Sequence, residues 1–457
     1  MKTIGIIGAG FSGLMTAIHL LRKSESVHVV QFDPNSEGKG IAYNPQSDHV
    51  LLNVVTAKMS AFPDKPDHFL HWCKQQKQYS GINDQLLRQS FLPRSLYGKY
   101  LHELYTTYLI PNERFKHFKE TVIDIEIINE RLQLKSTKQQ ITLDMVVLAT
   151  GNALPSNLVV PSGLIKHPRY HQNPWKINFS DISNNQPIVI VGNGLSMVDT
   201  VMELRARKFD QQIYAVSPNG FNILPHRQFN FTYDGPLNNL SQNLSLKELI
   251  NLFKLELRKL QAFGISAEPL VDALRPHTQN IWQKMSHEER RFFMNKIRHL
   301  WGQARHRLPF VSYDFIQKEQ ISEKLIVLAG KLDAFTNNRS ELHVTLANKK
   351  NKNKLTIPCA AVINCTGPES NYNNIEGNLL GKLVEKGVIS QDALFLGIET
   401  DENFQIINKS LQKIPVFALG PLLKGKLWES TAVNELRIQA KNLAEIISRK
   451  QAVGQFD

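Results

Sequence analysis

The chain has 457 residues, and its 54 lysines and arginines outnumber its 41 aspartates and glutamates, so its formal net charge is +13 at pH 7. Domains commonly hold about 100–200 residues, so this length predicts two or three of them. No stretch reaches the ~18 consecutive apolar residues of a transmembrane helix, so no membrane span is expected. The positive charge favours anionic ligands, but it does not separate a nucleotide-binding enzyme from a nucleic-acid-binding protein.

The cysteines are few and far apart in the sequence. Cys73, Cys359 and Cys365 include no Cys-x-x-Cys pair, which argues against a disulfide framework, a zinc site and a redox-active cysteine pair. No Gly-x-Ser-x-Gly or His-Glu-x-x-His pattern occurs either. We therefore expect no metal and a reducing compartment, the cytoplasm.

The N-terminal residues carry the pattern of a strand, a glycine turn and a helix. Residues 2–8 predict a buried strand, residues 14–21 a helix and residues 27–32 a second strand. Such a unit opens a doubly wound parallel sheet, so the predicted fold class is α/β. Helices are expected next around residues 68–76 and 97–109.

The turn after the first strand reads Gly8-x-Gly10-x-x-Gly13. In this fingerprint the first glycine makes a tight turn, the second lets the backbone approach a pyrophosphate, and the third lets the helix pack on the strand. The pyrophosphate meets the positive end of the helix, and an acid about twenty residues on, here Asp33, accepts hydrogen bonds from a ribose. The pattern therefore predicts a dinucleotide site. The expected contacts are Gly8, Gly10, Phe11, Ser12, Gly13 and Asp33.

A second pattern of this kind starts at residue 188. An apolar strand over residues 188–191 precedes Gly192-x-Gly194-x-x-Met197, in which methionine replaces the third glycine. The replacement puts close packing of helix on strand in doubt, but the context still predicts a second dinucleotide site. The contacts expected there are Gly192, Gly194 and Ser196.

The second strand of this later unit ends at Ser217 and not at an acid. An acid at this position would repel the 2′-phosphate of NADP. Ser217, with Arg207, Lys208 and Arg227 near it in the sequence, therefore favours NADP, and NAD stays the alternative.

Two further apolar strands, residues 146–151 and 362–367, end in Thr-Gly. In two-dinucleotide flavoproteins such strands lie where the chain passes between the FAD and nicotinamide domains, so Thr150 and Gly151 are expected cofactor contacts. We predict two nested dinucleotide-binding, Rossmann-like domains with a helical insert. Their bounds are residues 1–180 and 361–457 for FAD, residues 181–360 for NAD(P)H, and about 236–310 for the insert.

The insert carries two helix-start signals. Ser245 with Glu248, and Ser286 with Glu289, have the spacing of a capping box. Basic residues between the helices predict a solvated face and not a nucleic-acid site. Apolar residues after each box recur at helical spacing and predict a core face, namely Leu246, Leu249, Ile250, Phe253, Leu257, Leu260, Phe293, Ile297, Leu300, Trp301 and Ala304.

Five segments spread along the chain carry a family resemblance. They are Gly40-Ile41-Ala42-Tyr43, His49-Val50-Leu51-Leu52-Asn53-Val54, Met59-Ser60-Ala61-Phe62-Pro63-Asp64, residues 192–199 and residues 419–437. Together they resemble a bacterial family of FAD/NAD(P)-binding proteins related to the flavin-dependent N-hydroxylating, class B monooxygenases. The resemblance covers nearly the whole chain, and it implies that residues 53–60 lie near the isoalloxazine. The further cofactor contacts expected are Tyr43, Asn53, Met59, Ser60, Val122, Gly420, Pro421, Trp428 and Thr431.

Two details bear on the chemistry of the flavin. A terminal helix is predicted at about residues 432–448, and its positive end would stabilise a reduced flavin, which is anionic at its N1–C2 edge. His171 and Trp175 have the His-x-x-x-Trp core of the class B fingerprint, but the flanking Phe and Gly are absent and Lys176 stands where Pro or Asp is usual. A loop that only packs locally and a gating role are equal alternatives.

These features predict an FAD- and NAD(P)H-dependent oxidoreductase, a class-B-like monooxygenase. NADPH would reduce FAD, O₂ would form a flavin C4a-hydroperoxide, and a small amine-bearing or acidic molecule would be hydroxylated. The alternatives are an NAD(P)H-dependent flavin reductase or dehydrogenase without oxygenation, and an FAD-dependent protein that acts on nucleic acid. The lack of an aromatic and basic RNA motif weakens the last alternative. A small-molecule substrate is expected, with no membrane partner.

Overall fold

The computed structural model describes residues 1–35, 37–45, 47–129, 131–158, 162–227, 231–240, 244–338, 341–375 and 377–453. The chain divides into two compact units. Unit 1 comprises Met1–Asp48, Val54–Ala153 and Glu369–Asp457, and unit 2 comprises His49–Asn53 and Leu154–Pro368. Residues 154–180, which the sequence assigns to the first domain, lie in unit 2.

The strands of the described residues, numbered in chain order, are β1 (Lys2–Ile7), β2 (Val27–Phe32), β3 (Phe115–Phe118), β4 (Val122–Ile128), β5 (Arg131–Ser136), β6 (Gln140–Leu143), β7 (Met145–Leu148), β8 (Tyr170–His171), β9 (Ile188–Val191), β10 (Ile213–Ser217), β11 (Leu325–Asn338), β12 (Glu341–Asn348), β13 (Lys354–Cys359), β14 (Ala361–Asn364), β15 (Gln405–Ile407) and β16 (Lys413–Ala418). The α-helices of the same residues are α1 (Phe11–Lys23), α2 (His68–Gln75), α3 (Asp84–Gln89), α4 (Arg94–Tyr108), α5 (Ser162–Ile165), α6 (Leu195–Ala206), α7 (Leu246–Gln261), α8 (Glu268–Leu274), α9 (Thr278–Lys284), α10 (His287–Phe292), α11 (Arg298–Arg305), α12 (Phe310–Ile321), α13 (Leu379–Glu385), α14 (Lys424–Leu427) and α15 (Val433–Val453). Among them, no helix is both long enough and apolar enough to cross a lipid bilayer.

The main sheet of unit 1 has the strand order β15-β16-β7-β1-β2-β3. β1 pairs in parallel with β2 and β7, and β7 pairs in parallel with β16. Parallel strands that are covered on both faces need apolar runs, and Ile4, Ile6, Val146 and Val147 supply them at 0% exposure. α1 packs against α15. The two ends of the chain therefore share one sheet and one helix layer.

The sheet of unit 2 has the order β13-β12-β11-β10-β9-β14-β8. β9 pairs in parallel with β10 and β14, and β11 continues beyond β10 into an antiparallel meander with β12 and β13. Met197, Val198 and Val201 of α6 lie in the same apolar cluster as Ile190 of β9. Each unit thus repeats the strand–helix–strand arrangement, and the predicted α/β class is confirmed.

Both capping boxes of the insert form as predicted. Ser245 accepts a hydrogen bond from the Glu248 N–H, and Ser286 accepts one from the Glu289 N–H. The Glu289 carboxylate also accepts the Leu246 N–H at 2.8 Å, so one side chain holds the starts of α7 and α10.

Leu300 departs from the predicted core face, because its side chain is 55% exposed. Between α10 and α11, Phe293–Ile297 form a π-helical turn. Such a turn takes in an additional residue and rotates the residues after it around the helix axis. Beyond Leu300 the predicted stripe still faces the interior, because Trp301 packs against the insert's core and Ala304 is 8% exposed.

Candidate dinucleotide sites

Two glycines of the first turn are required by the protein's own packing. Gly8 has φ +106°, and a Cβ atom built on it would lie 2.3 Å from the Ala149 carbonyl oxygen. A Cβ atom on Gly13 would lie 2.0 Å from the Gly8 carbonyl oxygen. Both distances are far below a van der Waals contact. Gly8 and Gly13 therefore have the turn and packing roles that the fingerprint predicts.

Gly10 is different, because the space beside it is open. Its backbone is extended, with φ −73° and ψ −170°, and a Cβ atom there would meet only Gly40, at 3.4 Å from its Cα. Gly10 is the N-cap residue of α1, which no side chain caps and which has no acid in its first turn. Phe11 begins the helix and is 6% exposed. The first N–H groups of α1 are therefore suited to bind a pyrophosphate.

Asp33 follows β2, and its carboxylate stabilises the glycine turn through hydrogen bonds. Its carboxylate accepts the N–H of Ala9 at 2.9 Å and the N–H of Asn35 at 2.8 Å. The half-buried acid that is predicted to accept ribose hydroxyls thus also holds the glycine turn. Gln31, at 0% exposure, donates its amide N–H to the Gly8 carbonyl at 3.1 Å. Gln31 was not predicted as part of the site, and its signal in the sequence is a polar residue inside a buried strand.

The loops at one edge of the unit 1 sheet hold several predicted contacts. Since β1, β7 and β16 are parallel, their carboxyl ends share an edge, and Gly8, Thr150, Gly151 and Gly420 leave from it. Gly420 has φ +69°, and its Cβ position lies 3.2 Å from the Ser12 hydroxyl. Ligands of open parallel sheets bind at such an edge.

Two buried side chains hold the Gly420 peptide. Its N–H donates to the Gln439 amide oxygen at 3.2 Å, and its carbonyl accepts the Ser430 hydroxyl at 2.6 Å. Gln439 also donates to Ser430 at 3.0 Å. This network fixes the loop that contains Gly420 and the half-buried Pro421. Nothing in the sequence indicates that these side chains reach Gly420, so they were missed.

Trp428 has a strained backbone, with φ +54° and ψ −67°. The Glu429 N–H donates to the Leu427 carbonyl at 2.6 Å, which closes a rare γ-turn around Trp428. Strain of this kind costs on the order of 1–3 kcal/mol and concentrates at functional sites. The turn directly precedes the exposed Thr431 and the start of α15, where flavin contacts are predicted.

The remaining predicted contacts of unit 1 are more buried. The ring of Tyr43 packs edge-on against Tyr97, with 4.7 Å between the centroids. Met59 and Ser60 are 2% and 0% exposed. The Ser60 hydroxyl donates to the Lys65 carbonyl at 2.6 Å, and the Ser60 carbonyl accepts an N–H of Arg437 at 2.9 Å. Val122 opens β4 in the apolar core at 5% exposure.

Asn53 lies in unit 2, whereas Met59 and Ser60 lie in unit 1. The Asn53 carbonyl accepts a hydrogen bond from His226 Nε2–H at 2.9 Å. Pro225, which precedes His226, forms a β-bridge with Leu308. The resemblance implies that residues 53–60 lie together near the isoalloxazine, but Asn53 belongs to unit 2 and residues 54–60 belong to unit 1.

The second glycine turn repeats the geometry of the first. A Cβ atom on Gly192, which has φ +111°, would lie 2.2 Å from the Cys365 carbonyl oxygen, whereas one on Gly194 would meet nothing within 4 Å. Gly194 is the uncapped N-cap of α6, which has no acid in its first turn. Ser196 is half-buried in that turn. Met197 is 2% exposed in the core, so a side chain is accommodated where the fingerprint has glycine.

Ser217 closes the turn after β10. Its hydroxyl accepts the Gly220 N–H at 3.1 Å. The position where an acid would exclude a 2′-phosphate is therefore taken by a neutral side chain at the carboxyl end of the strand.

Two of the three basic residues expected to support NADP lie away from Ser217. The Lys208 carbonyl accepts the Asn184 amide at 3.2 Å, and Asn184 precedes β9, so Arg207 and Lys208 lie at the amino end of the strands. Arg227 forms an ion pair with Glu268 at 3.1 Å. The expectation is wrong for Arg207 and Lys208, because closeness in sequence across a helix does not place side chains at the same edge of a sheet. For Arg227 it stays a prediction.

The cysteines and histidines offer little redox or metal chemistry. Burial raises the pKa of Cys73, Cys359 and Cys365 to about 12 in each case. No group of three or more metal-binding side chains occurs among the described residues. Burial lowers the pKa of His171. The backbone N–H of Trp175 donates a hydrogen bond to the Asn173 side-chain oxygen at 3.0 Å, a contact within the loop.

The chain is similar to known proteins in sequence and in fold. The profile of the FAD-NAD(P)-binding family matches residues 5–153. The uncharacterized protein YdhS of Escherichia coli strain K12 is 27% identical over 219 residues, which are 44% of this chain and 39% of that protein. The flavin-containing monooxygenase ustF1 of Aspergillus flavus is 23% identical over 239 residues, which are 48% and 54% of the two chains. The matches thus span about half the length of these relatives or less.

Solved structures share the fold over nearly the whole chain. The ornithine N-hydroxylase of Kutzneria sp. 744 has a TM-score of 0.68 at 13% identity, over 99% of this chain and 100% of that one. The L-lysine 6-monooxygenase of Pseudomonas syringae has a TM-score of 0.68 at 12% identity, over 98% and 99% of the two chains. Residues 5–153 are thus similar to a family of FAD-NAD(P)-binding domains, and the chain shares its fold with an ornithine N-hydroxylase and an L-lysine 6-monooxygenase.

Proposed function

We propose that this chain is an oxidoreductase that binds FAD in unit 1 and a nicotinamide coenzyme in unit 2. The observation that carries the proposal is the presence of two separate glycine turns, at Gly8–Gly13 and at Gly192–Gly194. Each ends a parallel strand and begins an uncapped helix. The family match to residues 5–153 supports FAD in unit 1. Two dinucleotide sites suit hydride transfer from a reduced nicotinamide to a flavin, whereas a pure binding module would need one.

Within this class we favour a class-B-like monooxygenase that hydroxylates a small amine-bearing or acidic molecule through a flavin C4a-hydroperoxide. The bound flavin would supply the oxygen chemistry, and the chain would bind, orient and exclude water. Similar folds in an ornithine N-hydroxylase and a lysine 6-monooxygenase support an amine substrate. Disulfide reduction is disfavoured, because the three cysteines are buried and free.

For the coenzyme we favour NADPH over NADH. The support is Ser217, whose neutral hydroxyl stands where an acid would repel the 2′-phosphate.

Stopped-flow absorbance tests the monooxygenase proposal. The FAD-loaded protein is reduced anaerobically with NADPH and then mixed with O₂, and free reduced FAD is the control. A flavin–oxygen species that outlives the free-flavin reaction by at least tenfold is expected. Reoxidation as fast as that of free flavin, with stoichiometric H₂O₂, would contradict oxygenation and support the reductase alternative.

A further inference from the structure

Arg437 lies in α15 with a guanidinium that the protein satisfies only in part. One N–H donates to the Ser60 carbonyl at 2.9 Å. Its Nε atom is buried and has no hydrogen-bond partner among the residues that the structure describes. Burial lowers the pKa of Arg437, so its surroundings disfavour the charge. A buried donor without a partner is costly, and in native proteins such a group marks strain, a functional role, or the place of a bound water or ion.

The Tyr97 hydroxyl also lacks a hydrogen-bond partner among the described residues, and Tyr97 interacts electrostatically with Arg437. The residue is 0% exposed. Burial raises the pKa of Tyr97 well above its usual value, and the Arg437 charge partly opposes that rise. An acceptor group bound here would satisfy both the guanidinium and the hydroxyl.

The position of Arg437 brings its charge to the start of α15. Helical side chains lean towards the N-terminus, so Arg437 covers the turn that begins at Val433. The helix start has a partial positive charge of its own. Glu435 in the same turn offsets part of this charge.

We propose that Arg437 and Tyr97 bind the N1–C2 edge of the FAD isoalloxazine and stabilise its reduced, anionic form. The inference rests on the proposed function. Hydride transfer moves two electrons and one proton, so NAD(P)H and FAD give NAD(P)⁺ and FADH⁻. The negative charge of FADH⁻ resides at the N1–C2 edge. Arg437 and Tyr97 donate hydrogen bonds to this edge, and the guanidinium charge favours FADH⁻ over FAD.

The midpoint potential of the bound flavin, measured by dye equilibration, tests the proposal. Arg437→Gln should disfavour reduction at least tenfold, which is about 30 mV for a two-electron couple. Arg437→Lys and Tyr97→Phe should shift the potential in the same direction by less. Arg131→Gln is the matched control, because it removes an equal charge from the exposed Arg131–Asp144 ion pair of unit 1. The midpoint potential of the flavin bound to Arg131→Gln should equal that of the wild type.

The possible outcomes are distinct. If both Arg437→Gln and Tyr97→Phe match the control, the proposal is overturned, even when their FAD affinity falls. Should Arg437→Gln fail to fold, as judged by thermal unfolding without FAD, the lysine and phenylalanine variants decide by the same criterion. A wild-type protein that binds no FAD would refute the proposed function itself, separately from the role of Arg437.

Discussion

The substitution Gly10→Ala should weaken FAD binding without lowering the stability of the FAD-free protein. The added methyl group would touch only Gly40, at an ordinary contact distance of 3.4 Å, and the extended backbone at Gly10 suits alanine. Replacing glycine by alanine at a compatible position stabilises a protein by about 0.4–1 kcal/mol through the unfolded state. The FAD-free variant should therefore unfold at or slightly above the wild-type temperature.

The same methyl group should weaken FAD binding. It would occupy the space beside the start of α1, where the pyrophosphate is predicted to approach the backbone. Overpacking of a tight contact costs roughly 1–3 kcal/mol, which corresponds to an increase of about 5- to 150-fold in Kd. Fluorescence titration of the FAD-free protein with FAD measures this change.

Gly13→Ala is the contrasting control. Its Cβ atom would lie 2.0 Å from the Gly8 carbonyl oxygen, so this variant should lose stability even without FAD. Wild-type FAD affinity in Gly10→Ala would refute the placement of the pyrophosphate. A loss of apoprotein stability in Gly10→Ala as large as in Gly13→Ala would refute the view that its surroundings are open.

Further predictions concern unit 2, the Gly420 loop and the insert. Gly194→Ala should keep the fold, since nothing lies within 4 Å of its Cβ position, and should raise the KM for NADPH by about 5- to 150-fold with FAD content unchanged. Ser217→Asp should raise the KM for NADPH at least tenfold but not that for NADH, and equal effects on both would contradict the assignment. Gly420→Leu, at φ +69° and close to Ser12, should shift the flavin spectrum or expel FAD while sparing NADPH affinity. The insert should not bind tRNA with a submicromolar Kd at physiological salt, because the Arg290 guanidinium already donates a hydrogen bond to the Trp282 carbonyl at 3.0 Å. Submicromolar binding that is lost when Arg290 is neutralised would contradict this prediction.

Local patterns account for the parts of the structure that the sequence predicted. The role of Gly13 follows from its contact with Gly8 within one strand–turn–helix unit, and each capping box joins two residues three positions apart. Short-range geometry of this kind depends little on the rest of the fold.

Features that depend on distant contacts were not predictable from one sequence. Gln439 and Ser430 are ordinary polar residues until the fold brings them to Gly420. The π-helical turn at Phe293–Ile297 was not predicted from the pattern of apolar residues. Arg207 and Lys208 show the reverse error, since adjacency in sequence suggested a site that the sheet places at its opposite edge.

Anaerobic reduction of the purified protein tests the central claim most directly. The protein is loaded with FAD, freed of excess ligand and mixed with NADPH or NADH in the absence of oxygen, while the flavin absorbance near its visible maximum is followed. We predict stoichiometric FAD and its complete bleaching, faster with NADPH than with NADH. Failure to retain FAD, or a bound flavin that neither coenzyme reduces, would contradict the assignment of two cooperating dinucleotide sites.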